Sequence, residues 1–135
     1  MREILFRGKR KVNEEWVHGF LFVSRKGEYK IKWYDPEYGS AKTSEVYPET
    51  VGQLVSGISD KNGKKIFEGD VLEGAYFTAE DDGYGVVSFD DGAFEISGNG
   101  ISGTFHENYY GKEFEVIGNI HDNPELIGGA KGGAE

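Results

Sequence analysis

The chain has 135 residues, no cysteine, three histidines and a formal net charge of −9. That length suits one domain, or two small lobes sharing a core, and lets the chain bury roughly two-thirds of its unfolded surface without cross-links. The lack of cysteine removes a disulfide framework, a thiol nucleophile and a thiolate metal site, and no apolar run approaches the roughly 18–20 residues needed to span a bilayer.

From the N-terminus, Met1-Arg2-Glu3 leads straight into a short strand rather than an apolar export core, so the expectation is a protein of the reducing cytoplasm with no membrane partner. Ile4 to Phe6 and Trp16 to Val23 read as strands, with Gly8 to Asn13 as the connecting turn and Ser24 to Gly27 as a second hairpin loop. Tyr29-Lys30-Ile31-Lys32-Trp33 alternates apolar and cationic residues, the pattern of a half-exposed antiparallel strand. A three-stranded meander follows, with Trp16, Phe20, Phe22, Tyr29, Ile31 and Trp33 expected to bury their bulk in its core.

Charge is unevenly placed. Residues 1–32 hold nine Lys/Arg against four acids, a net +5, and the remainder holds six against twenty, a net −14. Two solvated surfaces are the simplest reading, and a head-to-tail contact between subunits is the next. Arg7, Lys9, Arg10 and Lys11, with Arg25 and Lys26 at the following hairpin, are the candidate phosphate or partner contacts, and Trp16 and Trp33 are candidate stacking platforms. An acidic protein repels a phosphate backbone unless its basic patch is concentrated, so nucleic acid is not the favoured partner.

Asp35 to Thr43, with Pro36, Gly39 and Ser40, reads as a loop and as the internal boundary. The domain is expected to span 1–127, with lobes at about 1–34 and 44–127 and a flexible tail over 128–135. Val46 to Val55 gives short extended segments, and Lys64 to Gly69 gives a turn feeding a strand over Val71 to Phe77. Asn62-Gly63 and Asp91-Gly92 both invite type I′ hairpins, in which both central residues take positive φ. Val71, Val86 and Phe89 are then expected to face one interior. Thr78 to Gly83 and Ser97 to Gly103 read as irregular, and Phe114 to Ile120 as the last strand. Asn123 and Pro124 there start one helical turn through Ile127. The fold class is mainly β: short antiparallel strands forming an N-terminal meander and an SH3-like partly open barrel, with little helix. The barrel comparison is architectural and carries no function.

Candidate chemistry is sparse. His18, His106 and His121 lie in no metal-binding spacing, and His121-Asp122 and His106-Glu107 make local pairs at most. Asp60-Lys61-Asn62-Gly63 lacks the alternating ligands and distal Glu of a calcium loop. Asp81-Asp82 and Asp90-Asp91 each precede a glycine, where turns favour aspartate. No serine sits in a nucleophile elbow, and no glycine pattern forms a phosphate loop. No catalytic residue, metal site or cofactor is expected.

Four separated blocks carry a resemblance. VYPETVGQLVSGISDKNGKKIFEGDVL (46–72), GVVSFDDGAF (85–94), FEVIGNIHDNPEL (114–126) and the opening REILFRGKR with EWVHGFLF resemble the YopX-like family of phage and prophage proteins over residues 2–126. The departures are the spacer Glu73 to Tyr84 and the tail Gly128 to Glu135. The resemblance implies a small, β-rich, oligomeric protein of phage origin, and it defines no catalytic residues to transfer. The expected function is a non-enzymatic oligomeric binding or accessory protein in the cytoplasm of a bacterial host. Its expected partners are itself, in a pentamer-based ring, and a phage or host protein. The alternatives are a nucleic-acid accessory protein using the basic N-terminal region and an acidic decoy of a host DNA-binding protein.

Overall fold

The computed structural model describes residues 2–74, 84–98, 103–105 and 114–127. The described strands are β1 (Phe6–Lys9), β2 (Trp16–Val23), β3 (Tyr29–Asp35), β4 (Ser40–Glu45), β5 (Gly52–Ser59), β6 (Lys65–Phe67), β7 (Asp70–Glu73), β8 (Gly85–Asp90), β9 (Ala93–Gly98) and β10 (Glu115–Asn119). Short 3₁₀ turns occupy Pro48–Thr50 and Pro124–Ile127. The strands form a six-stranded sheet in the order β4-β3-β2-β1-β5-β6 and a four-stranded sheet in the order β10-β7-β8-β9. The mainly β class is as expected, but the sheets are not closed into a barrel. Among the described residues no helix is long and apolar enough to cross a membrane.

The chain divides into two compact units, Met1–Ser56 and Gly57–Glu135. The division falls inside β5 and not between 34 and 44, because residues 35–43 do not form a linker. Ser40–Glu45 pairs with β3 in six successive registers, from Lys30↔Glu45 to Asp35↔Ser40. The N-terminal meander therefore has four strands, and β5 adds beside β1 through Phe6↔Gln53 and Arg7↔Gly52.

In the first unit, Val17, Ile31 and Val46 form the buried centre, with Phe6, Leu21, Tyr29, Trp33 and Val51 packed around them. Full burial of each aliphatic side chain contributes about 1.5–3 kcal/mol. β1 runs through Gly8 rather than turning there. A Cβ on Gly8 would come within 3.1 Å of the Val46 side chain, so this glycine serves a close approach between core elements. The turn comes later, where Glu14 N–H donates to the Arg10 carbonyl (2.8 Å) and Arg10 N–H to the Glu15 carbonyl (2.9 Å). The expected Ser24–Gly27 loop is present, with Gly27 at φ 85.

In the second unit, Ile66, Phe67, Val71, Leu72, Val87, Ile96, Phe105 and Phe114 are buried. Asp91 (φ 51) and Gly92 (φ 81) both lie in the left-handed region between Asp90 and Ala93, as a type I′ turn requires. The turn at Asn62-Gly63 differs, because only Gly63 has positive φ (82). Asp60 organises it instead, accepting from Asn62 N–H and Lys64 N–H at 2.8 Å each through Oδ1. Lys65–Phe67 is a strand where a turn was expected: the corner falls at Gly69 (φ 90), and Asp70 Oδ2 accepts from Phe67 N–H at 2.8 Å. Phe89 does not share an interior with Val71 and Val86. Val71 pairs with Val86, and three residues on, the strand's alternation puts Phe89 on the other side, half-exposed and edge-on to Phe94 at 5.0 Å. β10 is bulged between Val116 and Gly118. Asn123 precedes the Pro124 turn as expected, but its Oδ1 reaches back to accept from Asn119 N–H at 3.2 Å. The expectations for residues 75–83, 99–102 and 128–135, and for His106 and Glu107, lie outside the described residues.

Candidate binding surfaces

β2 is apolar on both faces, and its register decides which face is core. Gly19 opposes Phe6, and Leu21 opposes Ile31, which places Val17, Gly19 and Leu21 inward. Trp16, His18, Phe20 and Phe22 point the other way. Phe20 opposes Lys32 and Phe22 opposes Lys30, so an outer face of rings and lysine ammoniums runs across β2 and β3. Phe20 and Phe22 remain 68% and 44% exposed, and Tyr34 on β3 is 64% exposed. This corrects the expectation that Phe20 and Phe22 fill the core. A shallow concavity of about 360 Å³ opens among His18, Phe20, Lys32, Tyr34 and their neighbours. Grouped apolar exposure of this kind marks association surfaces more often than scattered single residues do.

The six predicted basic contacts do not form one patch. Arg7 and Lys9 lie on the outer face with Trp16, at 4.8 and 5.7 Å from its ring centroid, and Arg7 is buried. Arg10 pairs with Val46 and so lies toward the inner face, 5.4 Å from the Trp33 ring. Lys11 sits 3.0 Å from the Glu45 carboxylate, whose hydrogen bond and charge raise the Lys11 pKa. Arg25 and Lys26 are exposed in the β2–β3 turn, at the opposite end of β2 from the Arg10–Glu15 loop. Eight strand residues separate these ends, about 25 Å at the usual rise.

Sequence reading missed the partners that fix the basic corner. Ser44 is buried on β4 and accepts from both Trp33 Nε1 (2.9 Å) and Arg10 Nε (3.1 Å). Its hydroxyl oxygen thereby uses two lone pairs to hold an indole and a guanidinium in fixed orientation. Nearby, Lys42 Nζ lies 3.0 Å from Asp35 Oδ2 and 4.3 Å from the Tyr38 ring. The Lys42 hydrogen bond lowers the Asp35 pKa. No local signal marks these pairs, because Arg10 and Ser44 are 34 residues apart.

Among the described residues, no group of three His, Asp or Glu side chains is placed to hold a metal ion. His18 is exposed on β2, and His121 lies in the turn after β10. Asp60, part of the DKNG stretch, is buried and committed to backbone N–H groups.

The family model described as YopX protein matches residues 5–128. The chain belongs to the YopX family. This YopX chain is also similar in structure to protein EF1440 from Enterococcus faecalis, whose crystal structure aligns with a TM-score of 0.59. The identity is 23%, over 94% of this chain and 99% of that one. A likeness at that identity speaks for the fold alone. No curated protein matches by sequence.

Proposed function

We propose that this YopX chain is a non-enzymatic, phage-derived accessory protein of the bacterial cytoplasm, whose surface and self-association carry its role. The observation that supports this most is the outer face of β2 and β3, where Phe20, Phe22 and Tyr34 stand exposed between Lys30 and Lys32. β4 adds a second opening. It ends the six-stranded sheet as an edge strand, with Lys42 its only cation; the Glu45 carbonyl accepts from Lys11 N–H, and among the described residues the edge from Ser40 to Ser44 is open to pairing with another chain. Self-association into a ring, with a pentamer as the first stoichiometry to test, uses such surfaces without any reacting centre. Multi-angle light scattering at micromolar concentration tests it, and a monomer there removes the reading.

Arg7 and Lys9 over Trp16 favour a second reading, a nucleic-acid accessory role. Stacked cations beside an indole resemble single-strand binding platforms. Against this, Arg25 and Lys26 lie at the far end of β2, so the basic charge is divided. A gel shift that weakens steeply with salt would favour this reading over the first.

A further inference from the structure

We infer that the concavity around Arg10 receives the Asp90–Asp91 hairpin tip of a second copy of this chain, so that copies associate head to tail. The inference rests on the self-association reading above and names the contact through which it runs.

The receptor side is built. Arg10 Nε donates to Ser44 Oγ, and the guanidinium lies over Trp33, so two contacts fix its plane. Its terminal nitrogens make no hydrogen bond or ion pair among the described residues. They border a concavity of about 460 Å³ lined by Arg10, Lys11, Val12, Thr43, Ser44 and Glu45. Lys11 is neutralised by Glu45, which leaves Arg10 as the uncompensated cation of this pocket. A planar fork held in this way suits a carboxylate bidentately. Val12, 76% exposed, supplies an apolar shoulder.

The ligand side is equally defined. Asp90 and Asp91 are exposed at the β8–β9 tip, and neither makes an ion pair among the described residues. The type I′ geometry at Asp91 and Gly92 holds the two carboxylates on a stiff projection beside half-exposed Phe89. Overall charge agrees. Residues 1–56 hold ten Lys/Arg against eight Asp/Glu, a net +2, and residues 57–135 hold five against sixteen, a net −11. Charge complementarity of this kind favours unlike units meeting. A patch on one unit meeting a different patch on the next copy is a heterologous contact, which closes into a ring when the rotation allows.

The test is light scattering and sedimentation of the full chain, with Arg10→Gln, Asp90→Asn/Asp91→Asn, Lys26→Gln and the exchange variant Arg10→Asp/Asp90→Arg. Wild type is expected to associate and to loosen with added salt. Arg10→Gln and the double Asn variant are each expected to raise the dissociation constant about tenfold or more. Lys26→Gln, in the β2–β3 turn outside the concavity, should leave association intact, and the exchange variant should restore it. Restoration excludes misfolding as the cause of the loss, and failure to restore overturns the inference. An associated wild type matched by intact Arg10→Gln and double Asn variants also overturns it, while leaving the self-association reading standing. A monomeric wild type removes both. Duplex DNA retained by wild type, lost in Arg10→Gln and unaffected by the Asn changes would assign the pocket to phosphate instead.

Discussion

Replacing Asp60 tests whether a single buried carboxylate joins the β5–β6 turn to β10. Asp60 is 1% exposed and accepts three backbone N–H bonds, from Asn62 and Lys64 at 2.8 Å and from Val116 at 3.0 Å. Lys61 N–H donates to the Phe114 carbonyl at 2.8 Å, which reinforces the same junction. In Asp60→Ala the Asn62 and Lys64 groups sit in an exposed turn and recover water, whereas Val116 N–H is left half-buried without its acceptor. A stranded buried donor costs about 1–3 kcal/mol, and bonds to a charged acceptor are the stronger kind. Asp60→Ala should therefore lose about 3–4 kcal/mol of the roughly 5–15 kcal/mol typical of a domain. Asp60→Asn keeps an oxygen for the turn but points an NH₂ group at Val116 N–H, so it should lose about 2 kcal/mol.

The pH dependence has a definite sign. Burial by itself raises the Asp60 pKa, but the N–H groups of Val116, Lys64 and Asn62 and the charge of Lys64 outweigh it and leave the pKa lowered. A folded-state value below the unfolded one, about 3.9, gives stability that is fully present above the unfolded value. That stability drains away as pH falls through the folded one. Urea titrations followed by far-UV circular dichroism at neutral pH and near pH 3 measure both effects. The acid-side loss attributable to this group should vanish in Asp60→Asn. An Asp60→Ala variant within about 1 kcal/mol of wild type, or one with an unchanged acid slope, would refute the reasoning.

Substitutions at three further positions probe other points. A Cβ at Gly19 would lie 1.9 Å from the Lys32 carbonyl oxygen, so Gly19→Ala must push β2 and β3 apart. It should cost about 3 kcal/mol or more, and an unchanged urea midpoint by tryptophan fluorescence would show that the strands yield freely. Ser44→Ala strands Trp33 Nε1 and frees Arg10 Nε, for a loss of about 1–2 kcal/mol with a changed tryptophan emission. Identical spectra and stability would contradict the shared-acceptor geometry. Asp91, at φ 51, should accept Asn with little change, whereas Asp91→Val should cost about 1–2 kcal/mol because a β-branched residue resists the left-handed region. Thermal melts that fail to separate the two variants would argue against the type I′ turn.

The strands most legible from sequence are those whose ends carry turn chemistry. β2 begins and ends where expected, at Trp16 and Val23, and the β8–β9 hairpin takes both positive φ values that Asp91-Gly92 implied. β4 was not legible because SAKTSE is polar on both faces and has no hydrophobic period. Its pairing with β3 comes from the turn at Pro36–Gly39 and from Ser44 meeting Ile31. Phe20 and Phe22 were misplaced for the opposite reason: WVHGFLFV is apolar on alternate residues in both registers, and only the long-range pairing Phe6↔Gly19 selects the inner set. Gly8 looked like a turn residue because local sequence cannot distinguish glycine needed for φ from glycine needed for room beside Val46. Of the basic residues, RGKRK revealed the charge but not its partition, since strand alternation sends Arg7 and Lys9 to one face and Arg10 to the other.

The acidic residues divide by what they are attached to, and that division bears on function. Asp60 and Asp70 are buried and bound to backbone N–H groups, and Asp35 is held by Lys42 and accepts from Glu37 N–H at 3.0 Å. A carboxylate whose lone pairs are committed to the fold, or whose pKa is held down as in Asp60 and Asp35, makes a poor general base near neutral pH. Asp90 and Asp91, which have no such duties, stand on a hairpin tip in water, and among the described residues no group of three His, Asp or Glu side chains gathers there. Acid–base chemistry needs converging groups in a water-poor cleft, whereas recognition needs only a projecting charge and a complementary cation. Asp35, Asp60 and Asp70 thus brace strands and turns, whereas Asp90 and Asp91 face outward, which is the placement that the proposed contact with Arg10 of a second copy requires.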